Sequence, residues 1–231
     1  MPPHNDSPPG PLIGKGRAAD VYDIGDGRVL RRNRSGESAA FEAAVMRHVC
    51  EHGYPVPQVY DAEGPDLVME RLDGSTMLAS LPRQPWKLRS WATLLARLHD
   101  ELLEVPVPDF DIPNRFGTPH VLVHGDLHPD NIMLTNRGPV VIDWPNTCVG
   151  PPGAEVASTW LILATSEVLG GPVARRVQSA ARSRFVRLFL DQAGRELARS
   201  LLSAVAGHRL ADRNLRPSEA DNIRRLVRTE G

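Results

Sequence analysis

Cysteine, aromatic residues and net charge are all scarce in this chain of 231 residues. The two cysteines, Cys50 and Cys148, lie far apart and form no C-x-x-C pair, which excludes a disulfide-stapled scaffold and fits a reducing intracellular compartment. No apolar run is long enough to cross a bilayer, so no membrane partner is expected. The opening MPPHNDSPPGP is too polar and proline-rich for a signal peptide, and residues 1–11 are expected to be a disordered leader of a cytoplasmic protein. Net charge is only -1 but is unevenly spread: residues 1–170 carry 14 Lys+Arg against 22 Asp+Glu, and residues 171–231 carry 13 against 6. The basic part carries only two aromatics, Phe185 and Phe189, and its arginines follow helical patterns, so it reads as solvated helix faces and not as a nucleic-acid surface.

What is present begins with strands. "LIGKGRAADVYDIGDGRVLRR", residues 12–32, predicts three strands with a glycine turn and then a Gly25-Asp26-Gly27 hairpin. "ESAAFEAAVMRHVCEHG" places Phe41, Val45 and Val49 at helical spacing and stops at Gly53. Two short strands around Gly64-Pro65 follow. From Pro85 the patterns are long and helical, and the last third predicts helices over 172–191, 194–208 and 217–229. The expected architecture is α+β, with a small antiparallel β lobe carrying one helix (12–72) and a mostly helical second lobe (73–231).

The densest cluster of polar chemistry is "HGDLHPDNIML", His124 to Leu134. His120, His124 and His128 would share a face on a helix, as in a metal site, but Gly125, Pro129 and the neighbouring "VLV" argue against a helix there. The alternative is a hairpin, with "IML" and "VVI" as strands and Asn136-Arg137-Gly138 as its turn. Pairing Thr135 with Pro139 would set Asn131 opposite Asp143, their Cα atoms about 4.5–5.5 Å apart. An amide oxygen and a carboxylate at that separation suit Mg²⁺, and Asp126 on the preceding loop is left free to act as a base. Taken singly, Asn131 reads as the end of a turn and Asp143 as the end of a strand.

Together, His124-Gly125-Asp126-Leu127 followed by Asn131, a hairpin and Asp143 match the H-x-D-L-x-x-x-N loop and metal aspartate of kinases. The run "VHGDLHPDNIML…VVIDW" resembles the signature of the aminoglycoside phosphotransferase family, small-molecule kinases with a protein-kinase-like fold. The resemblance spans nearly the whole chain. It implies an enzyme that transfers the γ-phosphoryl group of ATP, with Mg²⁺, to a hydroxyl of a small molecule. Asp126 would accept or orient the acceptor proton, and Asn131 and Asp143 would hold the metal. "GKGRAADVY" maps onto the phosphate-covering loop through Gly14, Gly16 and Val21, with Ala19 in place of the third glycine. It runs on into a hairpin where a dinucleotide or Walker loop would open a helix.

The same resemblance puts Arg31 where a phosphate-binding lysine is expected, with Val29 on its strand face, and Glu42 as its helix partner. Arginine offers a fork where lysine offers a point charge. "LVMERLDG" would be the hinge, meeting adenine through the backbone of Glu70 and Leu72. His99 in "LARLHD" would be structural, and Glu155 in "GPPGAEVA" stands where the family usually has an aspartate. The departures at Arg31 and Ala19 motivate a rival reading, a catalytically weak nucleotide-binding sensor or scaffold. The acceptor could be an aminoglycoside, an amino alcohol or a sugar; Glu101, Glu104, Asp109, Asp111 and Asp130 could form an acidic cleft for a polycation. The sequence is silent on oligomeric state.

Overall fold

The computed structural model describes residues 9–16, 18–166, 171–211 and 215–231. Residues 1–8, most of the expected leader, lie outside the described residues. In chain order the elements are β1 (Leu12–Lys15), β2 (Ala19–Gly25), β3 (Arg28–Asn33), α1 (Ala40–Glu51), β4 (Val59–Glu63), β5 (Asp66–Glu70), β6 (Gly74–Thr76), α2 (Met77–Ser80), α3 (Leu88–Leu103), β7 (Val121–Val123), β8 (Ile132–Thr135), β9 (Gly138–Val141), β10 (Cys148–Gly150), α4 (Ala154–Thr165), α5 (Pro172–Ala193), α6 (Arg195–Leu210) and α7 (Pro217–Glu230). The expected α+β class, an antiparallel sheet with one helix followed by a helical part, is what the chain forms.

Two compact units divide the chain. The first takes the residues up to Gly74 together with Met133–Pro145, so the β8–β9 hairpin, placed by sequence in the second lobe, packs with the first. Its sheet runs β1-β2-β3-β5-β4, antiparallel throughout. The β2–β3 turn is Asp26-Gly27, with φ of 50° and 68°. Positive φ at both central residues is what a right-twisted two-residue hairpin demands, and Asp-Gly supplies it at little steric cost. Helix α1 buries Ala43, Val45, Met46 and Val49, and ends before Gly53, whose φ is 80°. Trp144 is fully buried in this unit, edge-on to Tyr54 with ring centroids 5.6 Å apart.

The second unit, Ser75–Ile132 with Asn146–Gly231, is helical. Amphipathic α3 buries Trp91, Leu95, Leu98 and Leu102 along one stripe. Helix α4 is buried on nearly every side by α5, α6 and α7. Strands β7 and β10 pair antiparallel, Val123 facing Cys148, and lead the chain into and out of the polar loop. No helix among the described residues is long and apolar enough to cross a membrane.

Candidate active site

In the first unit the glycine turn joins two strands. Gly14 faces Val21 across β1 and β2, and the Gly16 N–H donates to Ala19 O at 2.9 Å. A Cβ on Gly16 would lie 3.2 Å from that oxygen, tighter than an ordinary contact, whereas one on Gly14 would meet Val21 Cβ at 3.4 Å, an ordinary packing distance. The Arg34 guanidinium bonds the Gly16 and Ala19 carbonyls and fastens the turn.

On β3, Val29 is buried and Arg31 stands between Val21 and Leu67 on the neighbouring strands. The Arg31 guanidinium donates to Glu42 Oε2 at 2.5 Å and to Asp143 Oδ1 at 2.8 Å. Glu42 Oε1 accepts the Trp144 N–H at 3.2 Å. Burial pushes the Glu42 carboxyl above its ordinary range, and Asp143 adds to that, while Arg31 and the Trp144 bond pull it back. The expected Arg31–Glu42 partnership therefore forms, and the same fork also reaches Asp143.

At the end of β5, the Glu70 N–H donates to Gln58 O at 2.8 Å, and its carboxylate is held by Arg137 at 2.8 and 3.2 Å. Leu72 follows outside any strand, and among the described residues its backbone makes no hydrogen bond. Its N–H and C=O are available to the edge of a planar heterocycle.

In the second unit, Asp126 lies between β7 and a short 3-10 turn, Pro129–Asn131. Asn131 Nδ2 donates to Asp126 O at 2.9 Å and to Asp126 Oδ2 at 3.2 Å. His128 Nδ1 accepts the Asp130 N–H, which leaves the proton on Nε2, 3.6 Å from Asp126 Oδ2. Burial alone would raise the Asp126 carboxyl; His128, His124 and Arg209 outweigh it and hold the group below the usual carboxylate range. Asp126 is thus ionised at neutral pH, with its side chain 19% exposed.

The loop backbone is braced from α4. Glu155 is buried and accepts the N–H groups of Gly125 at 2.8 Å and Leu127 at 3.2 Å. Burial pushes Glu155 up to about 7 against the pull of these bonds. Thr159 donates to Leu127 O at 2.6 Å and touches His99 Nε2 at 2.9 Å. His99 is fully buried and held down to about 4, hence neutral, in the structural role expected of it.

The hairpin departs from its expected register. β8 ends at Thr135 and β9 begins at Gly138, leaving a two-residue turn, Asn136-Arg137. Asn131 belongs to the 3-10 turn and Asp143, at φ 70°, lies beyond β9, so neither is a ladder residue. Gly138, at φ 110°, takes up the first strand position where the sequence had placed it in the turn. The three histidines have separate tasks: His120 bonds Asn114, while His124 and His128 accept the backbone N–H groups of Asp126 and Asp130. Among the described residues no cluster of three or more His, Cys, Asp or Glu is placed to hold a metal ion. Within the second unit Asn131 Oδ1 is left without a bond once Nδ2 is committed to Asp126, and within the first unit Asp143 Oδ2 is left when Oδ1 meets Arg31; each is a hard oxygen of the kind that Mg²⁺ takes.

The model of the phosphotransferase enzyme family that includes the aminoglycoside phosphotransferases matches residues 10–118 and 103–196. The chain belongs to that family. A probable serine/threonine-protein kinase of Streptomyces coelicolor is 28% identical to this chain over 195 residues, 75% of this chain and 27% of that protein. The serine/threonine-protein kinase rio2 of Schizosaccharomyces pombe is 28% identical over 169 residues, 59% of this chain and 44% of that one. The chain therefore spans less than half the length of either relative. Among solved structures, aminoglycoside phosphotransferase APH(4)-Ia is 17% identical with a TM-score of 0.66, covering 95% of this chain and 93% of the other. A choline/ethanolamine kinase family protein from Mesorhizobium loti is 15% identical with a TM-score of 0.57, covering 95% and 87%. At such identities the likeness is one of fold, and the fold is protein-kinase-like.

Two features of the candidate site escaped the sequence. Glu155 was visible only as a departure from a pattern; a carboxylate opening the otherwise uncharged run "AEVASTWLIL" is the signal that it must meet buried donors. The Trp144 N–H bond to Glu42 has no sequence signal, because it depends on chain segments 102 residues apart.

Proposed function

We propose that this phosphotransferase carries the γ-phosphoryl group of ATP, with Mg²⁺, to a hydroxyl of a small molecule of aminoglycoside, amino-alcohol or sugar type. The observation that supports this best is the Asp126–Asn131 bond inside the HGDLHPDN loop. It orients an ionised, solvent-accessible carboxylate and at the same time leaves the amide oxygen of Asn131 free. Asp126 takes the proton of the acceptor hydroxyl as its oxygen bonds to the γ-phosphorus and the bond to the β-phosphate oxygen breaks. Asn131 and Asp143 hold Mg²⁺, which when bound neutralises the phosphate oxygens. Gly14, Gly16 and Val21 cover the phosphates, Val29 packs on the base, Arg31 with Glu42 lines the phosphate side, and the backbones of Glu70 and Leu72 meet adenine. Positioning and charge stabilisation supply most of the rate. The reading is supported by a neighbour of the same fold, a thermostable mutant of APH(4)-Ia in ternary complex with ADP and hygromycin B.

A second reading, a nucleotide-binding protein with weak transfer, is favoured by one observation: both arms of Arg31 are already taken by carboxylates. Calorimetry of ATP binding with and without Mg²⁺, followed by a phosphate-transfer screen over hydroxylated small molecules, separates the two. Mg²⁺-dependent binding with transfer supports the kinase; binding with no transfer to any small acceptor supports the second reading. Transfer to protein hydroxyls alone would align the chain with its protein-kinase relatives and overturn the small-molecule acceptor.

A further inference from the structure

Arg31, Glu42, Asp143 and Trp144 close a ring within the first unit. Arg31 Nη1 donates to Glu42 Oε2 at 2.5 Å and to Asn33 Oδ1 at 3.3 Å, and Nη2 donates to Asp143 Oδ1 at 2.8 Å. Glu42 Oε1 accepts the N–H of Trp144, the residue after Asp143. Glu42 thus holds the Asp143–Trp144 segment at two points, once through its peptide and once through the guanidinium. Trp144 is itself anchored, its indole N–H donating to Val141 O at 3.1 Å. The φ of 70° at Asp143 is one that an L side chain seldom adopts, and it persists where the surroundings fix it. The Arg31 and Glu42 side chains are 11% and 4% exposed, against 41% for Asp143. The ring is therefore buried at the arginine and glutamate and open at the aspartate.

A lysine could not close this ring. Its ammonium is a single point on a flexible stem, whereas the planar fork holds two carboxylates at fixed relative angles through different nitrogens. We infer that Arg31 is a positioning residue for Asp143: it pins Oδ1 and so aims Oδ2 outward as a ligand, and Glu42 sets the angle of the fork. Arg31 is then a requirement of this chain and not a weakened copy of a phosphate-binding lysine. The inference rests on the proposed function, in which Asp143 binds the metal.

The test compares wild type with Arg31→Lys, Glu42→Gln and the double variant. Mn²⁺ binding is followed by electron paramagnetic resonance with AMP-PNP present, AMP-PNP binding by calorimetry without metal, and folding by circular dichroism. Each single variant is expected to weaken Mn²⁺ binding by about 10- to 100-fold, the usual effect of removing a residue that orients a metal ligand. Metal-free AMP-PNP affinity should fall by clearly less than Mn²⁺ affinity, because Arg31 and Glu42 also line the phosphate side but the main loss lies in the ligand's aim. The double variant should be little worse than the poorer single one, since both break the same ring. If Arg31→Lys does not fold, Glu42→Gln, which keeps the oxygen facing Trp144, carries the test. Unchanged Mn²⁺ binding in the folded variants, or an equal loss of metal-free AMP-PNP binding, would overturn the inference and leave the kinase reading standing. A wild type that binds neither AMP-PNP nor Mn²⁺ with it would overturn both.

Discussion

Replacing Glu155 with glutamine exchanges one carboxylate oxygen for an NH₂ group at nearly constant volume. In the wild type Oε2 accepts Gly125 N–H and Oε1 accepts Leu127 N–H. An amide has one oxygen, so one of those peptide N–H groups loses its acceptor in a buried setting, at a cost of about 1–3 kcal/mol. The second effect is on pH dependence. Glu155 ionises at 4.5 in the unfolded chain and at about 7 in the folded protein. Between those values the unfolded chain has shed a proton that the folded one keeps, so stability falls as pH rises. The contribution is fully present below 4.5 and gone above about 7, and at 1.36 kcal/mol per unit it amounts to about 3 kcal/mol. Glutamine has no proton to lose. His99, held down to about 4, gives a slope of opposite sign, but it does so in both proteins and cancels in the difference. Urea unfolding followed by tryptophan fluorescence, from about pH 5 to about pH 8, should show the wild type losing its lead over Glu155→Gln as pH rises. Difference curves that stay flat across that window would refute the assignment of Glu155 as a buried carboxyl bracing the loop.

Asp126→Asn is expected to lower turnover by about 10²- to 10⁴-fold with nucleotide affinity almost unchanged, and near-normal turnover would remove Asp126 from its role. Asp143→Asn should raise the Mg²⁺ concentration needed for nucleotide binding, and an unaltered Mg²⁺ dependence in calorimetry would tell against that ligand. Thr159→Val deletes the bond to Leu127 O and the contact with His99, leaving buried polar atoms unpaired. It should cost about 1–3 kcal/mol in denaturant unfolding, and no measurable loss would contradict the brace.

The sequence showed most clearly what depends on local chemistry. Asp26-Gly27 announced its hairpin because few residues tolerate positive φ, and α3 announced itself because one face must be apolar. Helix α4 was not singled out: buried on nearly all sides, it has no polar face and therefore no period to read. The hairpin register failed by one residue because glycine serves equally as the last turn position and the first strand position; only the flanking strands decide. The candidate site was legible as a list of residue types at fixed spacing, which is what the loop motif encodes. Its bracing was not, since Glu155 meets the loop across about thirty residues of chain and Glu42 meets Trp144 across 102.

The small sheet unit is discontinuous, and this bears on how the protein is made. Its last pieces, Val141 bonded to Pro55 O, Arg137 bonded to Glu70 and Trp144 bonded to Glu42, come from a segment that follows the first by almost sixty residues. On the ribosome the five-stranded sheet emerges first, but the unit around it must wait, with the α1 carboxylate still lacking its Trp144 partner, while the chain through α3 and the polar loop emerges. A fragment ending at Gly74 should accordingly be a poor folder, prone to aggregate through its unfinished core. Any attempt to exchange this unit between relatives has to move both segments at once.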